Sequence, residues 1–131
     1  MNKKDRLELA KYRILKARET YNEVAILIKN ELWNTAINRL YYASYYAVIA
    51  LLVSKKIKTT THAGVRQMFG LHVIKTGIIE KDLGKFYSDI FDMRQTGDYE
   101  DYIDFTKEDV LDLLKPANDL ITEIEELLRK M

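Results

Sequence analysis

Hydrophobic residues recur at alternating steps of three and four along most of the chain, the spacing of helices that each bury one apolar face. This spacing predicts five helical segments, which cover approximately residues 5–29, 32–54, 62–75, 80–95 and 106–129. No linker, repeat or low-complexity stretch separates them, so residues 1–131 are predicted to form a single domain. The predicted fold class is all-α, an antiparallel bundle of four to five helices.

Several residues mark the expected ends of these helices. Thr106, with an aspartate three residues later, resembles a capping box that starts the fifth segment. Gly77 is expected to stop the third segment and Gly97 the fourth, which leaves a loop at about residues 97–105. Pro116 falls inside the fifth segment, where a proline is expected to kink the helix.

The second segment contains the longest apolar run of the chain, from Leu40 to Val53, interrupted only by Ser44. Its fourteen residues are too few to span a bilayer, so no membrane association is expected. A helix without a polar face must be covered on several sides, so this segment is either the centre of the bundle or part of a subunit interface. Its tyrosines favour such packing, with base stacking as the alternative: Tyr41, Tyr42, Tyr45 and Tyr46.

The amino-acid composition indicates which cellular compartment the protein is expected to occupy. Hydrophobic residues make up 47% of the chain, which is enough for one core, and cysteine is absent. Disulfides and thiolate metal sites are therefore excluded, and a domain that is stable without them fits a reducing cytosol. The N-terminal stretch contains no apolar secretory segment, so a cytoplasmic location is expected.

The formal net charge of +1 hides an uneven distribution of charge. Residues 54–75 contain five Lys or Arg and no Asp or Glu, whereas residues 89–112 contain nine Asp or Glu and two Lys or Arg. The net balance does not indicate a nucleic-acid-binding protein, but this segregation can orient a nucleic acid that does bind.

Arg94 is the residue that departs most clearly from the helical pattern. It follows Leu83, Tyr87 and Ile90 at steps of four, three and four, so it occupies a position where a buried leucine would be expected. Burying a charge without a partner is costly, so the guanidinium is predicted either to form a structural ion pair or to face a cleft.

Two histidines and an asparagine also interrupt the pattern. His62 lies near a predicted helix start, after three threonines, where an anion can be attracted; a surface or capping histidine is the alternative. His72 falls on the apolar face of the third segment and is interpreted as a core histidine. Asn38 lies inside the second segment, where asparagine is mildly unfavourable, and it is expected to bond another helix.

Other strong catalytic signatures are missing from the sequence. It contains no glycine-rich phosphate loop, no pair of histidines at metal-ligand spacing and no Gly-x-Ser-x-Gly motif. The carboxylates between residues 98 and 104 lack EF-hand spacing and are more typical of a solvated loop. We therefore expect neither a metal ion nor a cofactor.

Three stretches of the sequence, taken in order, resemble the small prokaryotic proteins of the HEPN-domain family. They are NRLYYASYYAVIALL (38–52), THAGVRQMFGLHVIKTG (61–77) and FDMRQTGDYEDY (91–102). The resemblance implies a helical bundle that forms a symmetric homodimer, in which two copies share one cleft. It also implies metal-independent ribonuclease activity, found in many members, and a minimal nucleotidyltransferase as partner in a toxin–antitoxin pair.

The family motif is an arginine, a polar residue and, several positions later, a histidine. Arg94 and Gln95 match its first two positions, but Tyr99 takes the place of the histidine. Tyrosine, with a pKa of about 10, is a poor base but can donate a hydrogen bond or a proton. His62 is then a candidate for the missing base, since its pKa lies nearer neutrality. The resemblance also implies that in some pairs the nucleotidyltransferase adds AMP to a tyrosine near the motif. The spacing of that tyrosine is altered here, which leaves Tyr99 and Tyr102 as candidates for AMP transfer.

The leading hypothesis is a homodimer that binds RNA or a nucleotide in a shared cleft and cleaves RNA without metal. Arg94 would hold the phosphate, Tyr99 would position or protonate it, and Asp98 would orient the guanidinium. Secondary candidates contact the substrate or supply the base: His62, Asn38 and Gln95. One alternative is a non-catalytic module that docks the nucleotidyltransferase and is modified with AMP on a tyrosine. Another is a dimer whose cleft binds a small nucleotide or an anion.

Overall fold

The computed structural model describes residues 1–99 and 103–131, with Tyr99 described by its backbone alone. Five α-helices follow one another in this part of the chain, which confirms the all-α class. A short π-helical segment directly follows the third. The helices are α1 (Lys3–Lys29), α2 (Trp33–Ser54), α3 (His62–Phe69), α4 (Lys81–Tyr99) and α5 (Lys107–Arg129), and the π-helical segment is Gly70–Ile74.

Helix α2 is the centre of the bundle, because it packs against α1, α3, α4 and α5. Half of its residues are buried, and the polar one among them, Ser44, donates its hydroxyl hydrogen to the Leu40 carbonyl at 2.9 Å. By length and composition alone α2 could cross a membrane, but 61% of its most apolar window is buried inside the bundle. That burial is the signature of a core helix, as predicted for this segment.

The outer helices α1 and α5 each bury one stripe against α2, at the predicted spacing. An ion pair also joins them, since Arg18 Nη2 lies 2.6 Å from Glu125 Oε1. The same guanidinium donates to Asn118 Oδ1 at 2.6 Å and to Thr122 Oγ1 at 3.2 Å. The buried stripes are Ala10, Ile14, Ala17, Thr20 and Val24 on α1, and Val110, Ala117, Leu120, Ile121 and Ile124 on α5.

The predicted start of α5 is confirmed in detail. The Thr106 side chain accepts a hydrogen bond from the Asp109 backbone N–H at 3.2 Å, and Asp109 Oδ2 accepts from the Thr106 N–H at 2.9 Å. These two bonds form a reciprocal capping box. The helix continues past Pro116 to Arg129.

The predicted stop of the fourth helix at Gly97 is wrong, because α4 continues through it to Tyr99. The glycine instead serves close packing. A Cβ atom at residue 97 would lie 2.8 Å from Cε2 of Phe105, closer than real side chains approach. Gly97 therefore lets the segment that leads into α5 pack against the last turn of α4, and residues 97–99 of the predicted loop are helical.

The interpretation of His72 as a core residue is also wrong, since this side chain is exposed. The cause is the π-helical segment, whose wider turn changes which residues face the core after Phe69. Val73 is buried in place of His72. Gly77 has the expected role beyond the end of this segment, with a left-handed backbone angle φ of 81°.

The packing at Gly97 gives a stability prediction. In G97A the new methyl group would meet the Phe105 ring, so we expect the free energy of unfolding to fall by about 1–2 kcal/mol. The matched control is G70A, where an added Cβ meets nothing within 4 Å. There the better helix propensity of alanine should raise stability by up to about 1 kcal/mol. Urea unfolding followed by circular dichroism measures both, and a stabilised G97A would contradict the close contact.

Candidate functional site

The Arg94 side chain lies between α4 and the centre of α2 and is 14% exposed. Its Nη2 donates to the Tyr42 hydroxyl at 3.1 Å. Its Cζ lies 5.3 Å from the centroid of the Tyr41 ring and 5.4 Å from that of Tyr42. The negative electrostatic potential of the ring faces stabilises a cation at this distance. The guanidinium predicted from the helical pattern is therefore mostly buried among the tyrosines of α2.

Asp98, one helical turn beyond Arg94, supplies a compensating charge. Its Oδ2 lies 2.9 Å from Arg94 Nε, so the ion pair expected from the sequence is present. The N–H of Nε does not point at the carboxylate, and this buried nitrogen has no hydrogen-bond partner among the described residues. Asp98 therefore compensates the charge, whereas the Tyr42 hydroxyl fixes the direction of the guanidinium.

His62 is the first residue of α3 and is half-buried against the same tyrosines. Its Nδ1 lies 2.6 Å from the Tyr41 hydroxyl. Its ring stacks on Tyr45 with 4.3 Å between centroids and 10° between planes. Thr61 fixes the start of the helix by accepting a hydrogen bond from the Gly64 N–H at 2.9 Å. Cap, stack and hydrogen bond together hold the imidazole in one orientation.

Arg94 and His62 are linked through α2, because Tyr41 and Tyr42 contact both. The ring of Tyr42 meets that of His62 edge-on with 5.8 Å between centroids, and its hydroxyl accepts from Arg94. The structure thus brings together two residues that are 32 positions apart in the sequence, in the arrangement that the sequence could not show. We call Tyr41, Tyr42, His62, Arg94 and Asp98 the Arg94–His62 site.

Burial and charge set the protonation of this site. Burial lowers the pKa of His62 from its usual value, and the positive charge of Arg94 lowers it further. Burial raises the pKa of Tyr41 to about 12, an effect that the Arg94 charge partly opposes. At neutral pH the tyrosine is therefore protonated and the imidazole neutral.

The hydrogen bond between Tyr41 and His62 has two chemical forms. If the Tyr41 hydroxyl donates to Nδ1, the imidazole proton is on Nε2, which then serves as a donor only. If Nδ1 carries the proton and donates to the Tyr41 oxygen, Nε2 keeps a lone pair and can accept a proton. The tautomer of His62 therefore decides whether it can act as a base.

The other predicted site residues make fewer contacts within the described part of the chain. Asn38 is half-buried on α2 one turn before Tyr42, on the same helical face, and Gln95 is exposed beside Arg94. Neither side chain makes a hydrogen bond to another described residue, so the bond expected between Asn38 and another helix is not seen there. Tyr102 and the side chain of Tyr99 lie outside the described residues. Their roles stay predictions.

The tyrosines of α2 make contacts that their spacing in the sequence does not predict. Their spacing of one and four residues predicts packing, which the full burial of Tyr41 and the partial burial of the other three support. Tyr41 and Tyr42 also contact Arg94 and His62. The sequence contains one signal for these contacts: α4 has a charged residue in its apolar stripe, and α2, the most buried helix, has a run of tyrosines. Such hydroxyls need partners when they are buried.

Comparison with known proteins identifies the family. The family model of the HEPN domain matches residues 10–127. A protein of Thermotoga maritima named UPF0332 protein is 38% identical over 131 residues, which is all of this chain and 98% of that protein. Two proteins of Methanocaldococcus jannaschii, both named as putative toxins, are also similar. The first is 31% identical over 88% of this chain and 78% of its own length. The second is 36% identical over 63% of this chain and 62% of its own length.

The match to the family model covers nearly all of the five-helix bundle, including α2, α3 and α4, which carry the Arg94–His62 site. The Thermotoga relative extends the similarity to the whole chain. The sequence, the fold and the relatives agree, and the chain belongs to the HEPN-domain family.

Proposed function

We propose that this protein is a toxin-like HEPN ribonuclease that cleaves RNA without a metal ion at the Arg94–His62 site. Two relatives carry names that mark them as toxins, which supports the toxin-like character. The observation that carries the proposal is that the mostly buried guanidinium of Arg94 and the imidazole of His62 contact the same two tyrosines, Tyr41 and Tyr42. A fixed cation and a group able to move a proton are what metal-free phosphodiester cleavage needs.

In the proposed reaction the RNA 2′-hydroxyl attacks the adjacent phosphorus while its proton moves to Nε2 of His62. The Arg94 guanidinium stabilises the negative charge that develops on the phosphorane oxygens, since it is planar and always charged. The 5′-oxygen of the next nucleotide leaves and takes a proton from an acid, for which Tyr99 is our candidate. The products are a 2′,3′-cyclic phosphate and a free 5′-hydroxyl.

The proposed active form is a homodimer that acts beside a minimal nucleotidyltransferase. The family resemblance supports both partners. A second copy facing the first would bring a second Arg94 to the same phosphate, which a dianionic phosphorane would favour. Asn38 and Gln95, which lie next to Tyr42 and Arg94, are proposed to contact the substrate. We also propose a cytoplasmic location, where RNA is available.

The first prediction concerns Arg94. We expect purified protein to cleave RNA in the presence of EDTA, and R94Q to lose about 10²–10³-fold in rate, the usual effect of removing one charge-stabilising donor. The matched control is R66Q. Arg66 also pairs with a carboxylate of α4, at 3.0 Å from Asp92, and also lies over an aromatic ring, at 4.1 Å from the centroid of Phe91.

We expect R66Q to cleave at nearly the wild-type rate, because it removes a similar charge and a similar packing contact outside the site. Circular dichroism and thermal unfolding of both variants would show that the bundle is intact. Equal cleavage rates in R94Q and the wild type would exclude Arg94 from catalysis.

The second prediction concerns the pH dependence of His62. The pKa of this residue in the folded protein lies below its value in the unfolded chain, so folding favours the neutral imidazole. Its contribution to the free energy of unfolding is therefore fully present above about pH 6.5 and is lost as the pH falls through the lower, folded pKa. The cleavage rate should fall as the pH falls through the folded pKa, because the protonated imidazole cannot act as a base.

Nuclear magnetic resonance titration of the imidazole signals in folded and urea-unfolded protein measures this difference, and H62Q assigns the signal. The same spectra report which nitrogen carries the proton. A folded pKa above the unfolded one, or a proton on Nε2 at the pH of maximal activity, would remove His62 as the base.

A non-catalytic function is the second candidate, favoured by the ion pair of Arg94 with Asp98. A carboxylate at 2.9 Å competes with a substrate phosphate for the guanidinium. The protein would then dock a nucleotidyltransferase and accept AMP on Tyr99 or Tyr102. Co-expression with a nucleotidyltransferase encoded next to it tests this. A stable complex and an AMP adduct in the intact mass, without RNA cleavage by the free chain, would favour this function over the ribonuclease.

A further inference from the structure

We infer that a basic groove leads from the Arg94–His62 site across the α2–α3 loop to the start of α1, and that it binds the backbone of single-stranded RNA. The inference rests on the proposed function, whose substrate it extends beyond the scissile phosphate. Two adjoining cavities form the groove. We call it the basic groove and define it by four cations: Arg6, Arg13, Lys56 and Lys58.

The cavity nearer the site has a volume of about 310 Å³. Its polar lining residues are Arg13, Lys58, Thr59 and Thr60. Tyr45 also lines it, and the ring of this tyrosine stacks directly on His62 at 4.3 Å between centroids. Tyr45 therefore connects the cavity with the imidazole of the site.

The second cavity, of about 400 Å³, continues the groove away from the site. Its lining includes Arg6, Lys56 and Lys58, and it shares Val53, Ile57 and Lys58 with the first cavity. Because three lining residues are common to both, the two cavities form one depression with Lys58 at their junction.

The charge of this groove is of one sign. None of the residues that line either cavity is an aspartate or a glutamate. Within residues 1–99 and 103–131, the four cations form no ion pair with a carboxylate, whereas Arg18, Arg66 and Arg94 do. A concave surface lined by unopposed cations concentrates a polyanion.

The form of the groove favours single-stranded RNA among polyanions. Proteins that bind single strands combine a positive groove along the phosphates with apolar and aromatic faces for the bases. Here the floor between the cations is apolar, with Ile49, Val53 and Ile57, and Tyr45 stands at the end nearer the site. A strand with its scissile phosphate at Arg94 would pass Tyr45 and then run along the groove.

The test is the affinity for a single-stranded RNA of about 15 nucleotides, a length that covers such grooves. Its 2′-oxygens are methylated so that it cannot be cleaved. Fluorescence anisotropy is measured at several salt concentrations with the variant R13Q/K58Q. The matched control is K85Q/K115Q, which removes the same charge from two lysines that are 78% and 84% exposed and paired with carboxylates on the helix surface.

We expect R13Q/K58Q to bind about tenfold more weakly than the control. The slope of log K against log salt should fall by about 1.4, since each phosphate contact on a single strand contributes roughly 0.7. Arg13 Nη1 also donates weakly to the Ile49 carbonyl, at 3.5 Å, so its replacement could disturb packing. The single variant K58Q, which breaks no such bond, should give about half of the change in slope.

Cleavage assays separate this inference from the proposed function. With a dinucleotide substrate, which fills the site alone, R13Q/K58Q should cleave like the wild type and R94Q should not. With the long, unmethylated RNA, both should be slower. The wild-type protein could also bind long RNA without cleaving any RNA. If R13Q/K58Q then loses this binding, the result would support the groove and contradict the ribonuclease.

Two outcomes would overturn the groove as an RNA site. The first is equal RNA affinity in R13Q/K58Q and in the control. The second is displacement of the RNA by polyglutamate of equal charge at equal concentration, because the groove would then be a docking surface for an acidic protein.

Discussion

The cost of keeping the Arg94 guanidinium out of water determines how the site is built. An ionised group that is 14% exposed must find charge and hydrogen-bond partners within the protein. It finds a carboxylate at 2.9 Å, a hydroxyl at 3.1 Å and the faces of two tyrosine rings. Tyr41 and Tyr42 serve both this cation and His62, so a requirement of stability also positions the candidate base.

Local features of the backbone make these contacts possible. Gly97 has no side chain to strike Phe105, so α4 continues one turn beyond Arg94 and brings Asp98 within reach. If the helix ended at Gly97, the two residues would not share a helical face. Thr61 similarly fixes the first turn of α3, which places His62 against Tyr41 and Tyr45. Two small features at helix ends therefore set the geometry of the site.

Positive and negative side chains lie on different sides of the Arg94–His62 site. The stretch from residue 54 to 75, rich in lysine and arginine, supplies Lys56 and Lys58 of the basic groove, and α1 adds Arg6 and Arg13. On the other side of the site Asp98 compensates Arg94. No residue that lines the groove is a carboxylate, so an anion that moves from the groove to Arg94 would meet Asp98 at the site. The strength of the Asp98 pair would then set how readily Arg94 binds a phosphate.

The sequence determined the helices and their buried faces, because a repeat of three and four residues is a local property that burial then satisfies. It also marked Arg94, since a charge in an apolar stripe is visible without coordinates, and the capping box of α5. Only the tertiary structure decided that Arg94 and His62 contact the same tyrosines, that His72 is exposed and that α4 continues through Gly97. Each depends either on a neighbour that is distant in sequence or on a π-helical turn that changes which residues face the core. The spacing of apolar residues along a helix reveals neither.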